Sequence, residues 1–290
     1  MNAISRSWEI TKISFSVITQ DKEMLVFPLL AGICSILFSI ALLFPTIIVE
    51  VLKNTNHAEM VVGVFEYALI GITYLGISFF ATFFNVCVVY TAKVRFSGGD
   101  ATFMDSIRFS LSKIGVIFAW SLVSATVGLI LNAIDNAAER MGGPGKILVA
   151  ILHSVLGLAW TVVSIFVVPA MVYESIGPFE AINRSVSTIK STWGESLVRH
   201  YGLGFIFSLF MFLGIGLGAI LMMSGIQAGP MGPIAVAVLM GLYFLIVVLL
   251  FTCANTVFNV ALYAYANQHP IPNLMDEDVL SHAFAEKQDG

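Results

Sequence analysis

Residues 200–275 read HYGLGFIFSLFMFLGIGLGAILMMSGIQAGPMGPIAVAVLMGLYFLIVVLLFTCANTVFNVALYAYANQHPIPNLM. Between Arg199 and Asp276 this run of 76 residues holds no Asp, Glu, Lys or Arg. A water-soluble domain cannot spread such a run over its surface, so most of it must face hydrocarbon or other apolar helices. Turn formers divide the run. Ser224-Gly225, Gly229-Pro230 and Gly232-Pro233 cannot continue a regular helix, which leaves two crossings joined by a turn.

Working outward, four more apolar stretches precede this pair. A helix needs about 20 apolar residues to cross a bilayer. The spans expected are Met24–Val49, Tyr67–Ala92, Ile114–Ile134, Ile147–Tyr173, Tyr201–Met223 and Pro233–Tyr265. Backbone groups in hydrocarbon must be satisfied within the segment, so each is read as a helix. A β-barrel would show short alternating segments instead. Composition agrees: charged residues are 11% of the chain, against roughly 25% in soluble domains. The fold class is therefore all-α, a polytopic transmembrane helical bundle forming one membrane domain over 1–290, with a polar tail from 267 to 290.

Lys and Arg give the orientation. The side bearing the N-terminal arm carries 11 of them and the opposite side 3. By the positive-inside rule both termini are expected in the cytoplasm, in an inner (plasma) membrane. Arg6, Glu9, Lys12, Asp21, Lys22 and Glu23 come before the first apolar core, so that core is expected to stay as a span and not to serve as a cleaved signal.

The polar linkers on the basic side resemble one another. Ile4 to Lys12 and Ile182 to Lys190 match in Ile, Arg, Ser and Lys; Phe103 to Lys113 keeps Ser106, Arg108, Ser110 and Lys113 in a shifted register. This suggests three repeat units, 1–92, 98–173 and 178–266, each a short amphipathic cytoplasmic-side helix followed by a hairpin of spans. Phe103, Met104, Ile107 and Leu111 recur at helical spacing, as do Phe179, Ile182, Val186 and Ile189. Such helices lie at the headgroup level. Ser97 or Asp100 is the expected cap of the second, and Pro178 opens the third.

Polar residues inside spans are the default place to look for function. They are Asn85, Asn255, Asn259 and His153, with scattered hydroxyls. Phe84-Asn85-Val86 and Phe258-Asn259-Val260 share a short pattern, so the two asparagines are candidates for a hydrogen bond across the bundle. Pro169 is the expected kink of the fourth span. Gly214 and Gly218 form a small-xxx-small pair suited to close helix packing. No Asp, Glu, Lys or Arg occupies the middle of a span, which argues against proton-coupled or charge-gated transport.

Cys34, Cys87 and Cys253 lie inside apolar segments at unpaired spacing, so neither a disulfide framework nor a metal site is expected. GxxxxGK[ST], HExxH, CxxC and GxSxG patterns do not occur, no cofactor is implied, and no basic patch suits nucleic acid. The expected partners are membrane lipids and a membrane protein. Two function classes stay open: a structural or accessory membrane protein, and a channel or permease for a small or apolar solute or lipid. An enzyme would need a polar cluster near one leaflet, and the sequence offers none.

Ser5-Arg6-Ser7-Trp8, Asp21-Lys22-Glu23 and Phe27-Pro28 resemble a family of prokaryotic six-span membrane proteins of unknown function. So do Val168-Pro169, Glu174, Gly177-Pro178 and Ala181-Ile182-Asn183-Arg184-Ser185. The resemblance implies the six-span architecture over nearly the whole chain and carries no activity onto any residue.

Overall fold

The computed structural model describes residues 15–53, 64–140, 144–192, 202–227, 229 and 231–270. The linker matching Ile4 to Lys12 and nearly all of the expected polar tail lie outside them. Among the described residues there are nine α-helices and no strand. They are α1 (Val26–Lys53), α2 (Val64–Phe96), α3 (Phe103–Ser112), α4 (Ile114–Arg140), α5 (Pro144–Ser164), α6 (Val167–Glu174), α7 (Pro178–Thr192), α8 (Gly202–Gln227) and α9 (Gly232–Ala266). Residues 15–20 are also helical, and a 3-10 turn covers Lys22–Leu25.

Among the described residues, six stretches are long and apolar enough to cross a membrane: Lys22–Pro45, Ala68–Phe96, Ile114–Arg140, Gly145–Glu174, Ile206–Gln227 and Gly232–Ala266. They fall where hydropathy places them, with one correction: Ser224-Gly225, read from sequence as a helix breaker, lies inside α8, which continues to Gln227. Span four is α5 and α6 together, interrupted at Ile165 and Phe166. In span one only 6% of the apolar window is buried inside the protein, so its surface is left for lipid.

The chain divides into two compact units. One gathers spans one to four with α3, over 27–91 and 101–187. Its helices lock through rings and close approaches. Trp120 and Trp160 stack with centroids 5.5 Å apart between α4 and α5. Phe38 of α1 lies so close over Gly76 of α2 that a Cβ there would collide with its ring.

The other unit holds the α8–α9 hairpin, the segment 15–26, the end of α2 and its turn over 92–100, and the chain from 188. Gly214, Gly218 and Gly225 of α8 turn toward Tyr243, Met240 and Val236 of α9. The Tyr243 hydroxyl donates to the Phe210 carbonyl at 2.8 Å, reaching it across Gly214. At the hairpin's end Gly225 and Gly232 meet backbone to backbone with no room for a Cβ. Phe15 meets Phe251 edge-on at 5.6 Å, and Val17 and Ile18 are buried, which fixes the segment before span one onto α9.

α2 ends in a Schellman turn. Gly99 N–H donates to the Val94 carbonyl at 2.9 Å, and Gly98 N–H to Arg95 at 3.0 Å. Gly98 takes φ +79°, a left-handed conformation that a side chain would strain. Thr102 then caps α3, not Ser97 or Asp100 as the sequence suggests. Its hydroxyl accepts from Asp105 N–H while the Asp105 carboxylate accepts from Thr102 N–H. Ser97 is spent on the end of α2, where its hydroxyl donates to Lys93 carbonyl, and Asp100 on Arg95. Pro178 does open α7.

Candidate functional site

The short helices α3 and α7 are built inside-out. Ser106 and Ser110 of α3 are fully buried, while Met104 and Leu111 stay about half exposed at 50% and 51%. The buried serines face α2. Thr91 and Ser106 hydroxyls lie 2.7 Å apart, and Cys87 Sγ lies 3.1 Å from Ser110 Oγ. Tyr90 and Phe109 stack over this seam with centroids 4.2 Å apart. A hydroxyl that would be costly in hydrocarbon is thus satisfied by another hydroxyl or a thiol.

α7 repeats the scheme. Ala181, Ser185 and Thr188 are buried, and Phe179 is 73% exposed. Ser185 serves the break in span four: its hydroxyl donates to the Val163 carbonyl at 2.6 Å and accepts from Phe166 N–H at 3.3 Å. Pro169, just beyond, has no N–H to offer Ile165, so a regular ladder cannot run through this turn. Arg184 Nε donates to Glu174 at 2.6 Å, tying α7 to the end of α6. In the other unit, Asn267 donates to the Thr188 hydroxyl at 3.4 Å.

Arg95 closes a small ionic cluster. Its guanidinium donates to Asp21 at 3.2 Å and Asp100 at 2.7 Å. Asp21 is only 7% exposed. Burial pushes its carboxyl above the ordinary value, and the Arg95 hydrogen bond and charge pull it back. Asp105, in the exposed capping box, is held below the ordinary value by its bonds from Thr102.

The asparagines singled out by sequence fall in different units: Asn85 in that of spans one to four, Asn255 and Asn259 in that of the α8–α9 hairpin. All three are half-buried. The amide oxygens of Asn85 and Asn259 are enclosed and meet no hydrogen-bond partner. His153 is half-buried on α5. No group of three His, Cys, Asp or Glu suited to a metal occurs among the described residues.

One cleft lies in the unit of spans one to four, between the start of α4 and the end of α6. Ile117, Met171, Val172 and Ile176 wall it, and Lys113 and Ser175 join them. Lys113 Nζ donates to Ser175 Oγ at 3.2 Å. The cleft's inner volume is about 10 Å³, the scale of a single water. Ser175 caps α6 in the left-handed region, at φ 56°.

Sequence reading missed these contacts. The signal for one was visible: Ser106 and Ser110 stand one helical turn apart on a helix whose other face is apolar. No local pattern announces Ser185 as the partner of a break some twenty residues earlier, or Arg95 as the partner of Asp21.

No curated protein and no solved structure matches the chain. A family described as one of unknown function, DUF6159, matches residues 60–270, a stretch that takes in spans two to six. With that match over well more than half its length, this six-span chain belongs to the DUF6159 family of unknown function.

Proposed function

We propose that the protein is a structural or accessory component of a prokaryotic inner (plasma) membrane, working through lipid and protein contacts, with both termini cytoplasmic. The observation that supports it is where the intramembrane hydroxyls go. Thr73, Ser154, Thr161, Ser208 and Thr256 each donate to the carbonyl four residues back on their own helix. Ser106, Ser110 and Ser185 are used up in helix-to-helix seams. Polar groups spent in this way strengthen packing and are withdrawn from a solute path. The cleft beside Lys113 has an inner volume of about 10 Å³, too small to enclose a solute.

A second reading, a channel or permease for a small or apolar solute, is favoured by the enclosed amide oxygens of Asn85 and Asn259. Purification from native membranes in a lipid-preserving detergent, with mass spectrometry of proteins and lipids, separates the two. A stoichiometric protein partner supports the accessory role. Recovery alone, with solute flux in proteoliposomes that Asn85→Ala or Asn259→Ala abolishes, supports the permease. Orientation is tested by single cysteines at Lys190 and Lys146 in a cysteine-free background. Labelling of position 190 by an impermeant reagent outside intact cells reverses the assignment.

A further inference from the structure

We infer that Lys113 and Ser175 seat the phosphate headgroup of an anionic glycerophospholipid, whose acyl chains run along the protein surface beside the cleft. This deepens the lipid-contact part of the proposed function and rests on it. Lys113 immediately precedes span three and Ser175 immediately follows span four. Both therefore sit at the edge of the hydrocarbon, where phosphates lie.

The donors match that ligand. Lys113 is half-buried and forms no ion pair among the described residues, since the nearby Glu174 is engaged by Arg184 at 2.6 Å. One of its three N–H groups goes to Ser175 Oγ at 3.2 Å. Having accepted from Lys113, the Ser175 hydroxyl keeps its own proton to donate. An ammonium and a hydroxyl side by side thus present their remaining protons to one anionic group. The negative ends of α3 and α6 help hold the ammonium at this mouth without taking up those side-chain donors.

The backbone points the same way. Ser175 adopts φ 56°, which suits glycine better. Its left-handed turn sets the hydroxyl beside Lys113. Ile117, Met171 and Val172 are buried beneath, and half-buried Ile176 extends the apolar wall. The cleft is too small to enclose a whole lipid, so the acyl chain lies along the protein surface within the bilayer. Charge complementarity selects the headgroup: this is the side of the chain that carries 11 of the 14 basic residues.

The test uses the purified full chain in nanodiscs of phosphatidylcholine doped with phosphatidylglycerol, transferred to detergent and read by native mass spectrometry for retained lipid. Phosphatidylglycerol is expected to be retained over phosphatidylcholine. Lys113→Gln and Ser175→Gly should each lower that preference, by about fivefold for the lysine, the weight of one basic side chain at an anionic surface. Lys113→Arg should keep most of it, and Lys190→Gln should leave it unchanged. Ser175→Gly removes the hydroxyl at a position where glycine relieves strain, so a folding defect cannot explain its effect. Unchanged retention in both Lys113→Gln and Ser175→Gly overturns the proposal. So does displacement of the lipid by inorganic phosphate, which would make the site one for a free anion. The readout needs no protein partner, so an empty pulldown would leave it standing.

Discussion

Replacing Ser185 by Ala removes one hydroxyl from the buried face of α7 and tests how span four tolerates its break. Two bonds are lost: a donation to Val163 carbonyl at 2.6 Å and an acceptance from Phe166 N–H at 3.3 Å. The first is short and worth about 1 kcal/mol net, the second less, because its length weakens it. Leaving buried backbone groups less well satisfied adds about 1 kcal/mol or more. Interhelical side-chain bonds inside membranes average only about 0.6 kcal/mol, which sets the floor. The expected loss is about 2 kcal/mol, measured by reversible unfolding in mixed micelles with increasing SDS fraction. Ser187→Ala, on the exposed face of α7, should change stability by under about 0.5 kcal/mol. A loss below about 0.5 kcal/mol for Ser185→Ala would mean that the break is served by other groups, and the reasoning fails. A double-mutant cycle sharpens the test. Pro169→Ala restores the N–H that Ile165 carbonyl lacks, so the helix can continue and Ser185 becomes less necessary. The two changes should couple by about 1 kcal/mol, whereas additivity within about 0.5 kcal/mol would detach the break from the proline.

Gly214→Ala should cost about 1–3 kcal/mol in the same assay, because its Cβ meets the Tyr243 ring, while Gly216→Ala, facing open space, should be neutral or slightly stabilising. Gln268→Gly should stabilise by about 0.5–1 kcal/mol, since Gln268 holds φ 58° at the end of α9. As pH falls, two regions should respond oppositely, that of Asp21 above the ordinary carboxylate value of about 3.9 and that of Asp105 as pH drops through and below it. Asp21 has a raised folded pKa, so its site is more stable when protonated and loses stability as pH rises; Asp105 has a lowered one, so the cap of α3 loses stability as pH falls. Hydrogen exchange, corrected for intrinsic rates, should show 15–26 gaining protection in acid and 103–107 losing it; parallel changes would refute the assignment.

The sequence reveals the spans because hydrocarbon is an unambiguous solvent. Twenty apolar residues in a row have few other uses, and most span edges fall beside a charge or a turn former. The capping of α3 shows where local reading stops. Ser97, Asp100 and Thr102 are all competent caps by chemistry. The choice falls to Thr102 because Ser97 finishes the previous helix and Asp100 is drawn to Arg95, and neither constraint is local. Asn85 and Asn259 show the converse. Their residue type flags them, yet the buried polar contacts between α2 and α3 and at the break in span four run through serine, threonine and cysteine, whose small side chains carry little periodic signal.

That difference bears on how polar residues in this bundle are weighed. In water a short amphipathic helix turns its apolar stripe inward. Here Met104, Leu111 and Phe179 are left exposed, and the inward face is small and polar instead. Small side chains let helices approach closely, and hydroxyls then find one another at hydrogen-bond distance, as Thr91 and Ser106 do at 2.7 Å. The seam needs no solute to satisfy it, because each buried donor already has an acceptor. Polarity at α3 and α7 is therefore evidence of anchoring. The group that escapes this logic is Lys113: its charge has no carboxylate to meet among the described residues, it stands at the membrane edge, and a hydroxyl alone does not neutralise it. A buried hydroxyl can be satisfied within the fold, whereas an interfacial ammonium asks for an anion, and the bilayer is where one is at hand.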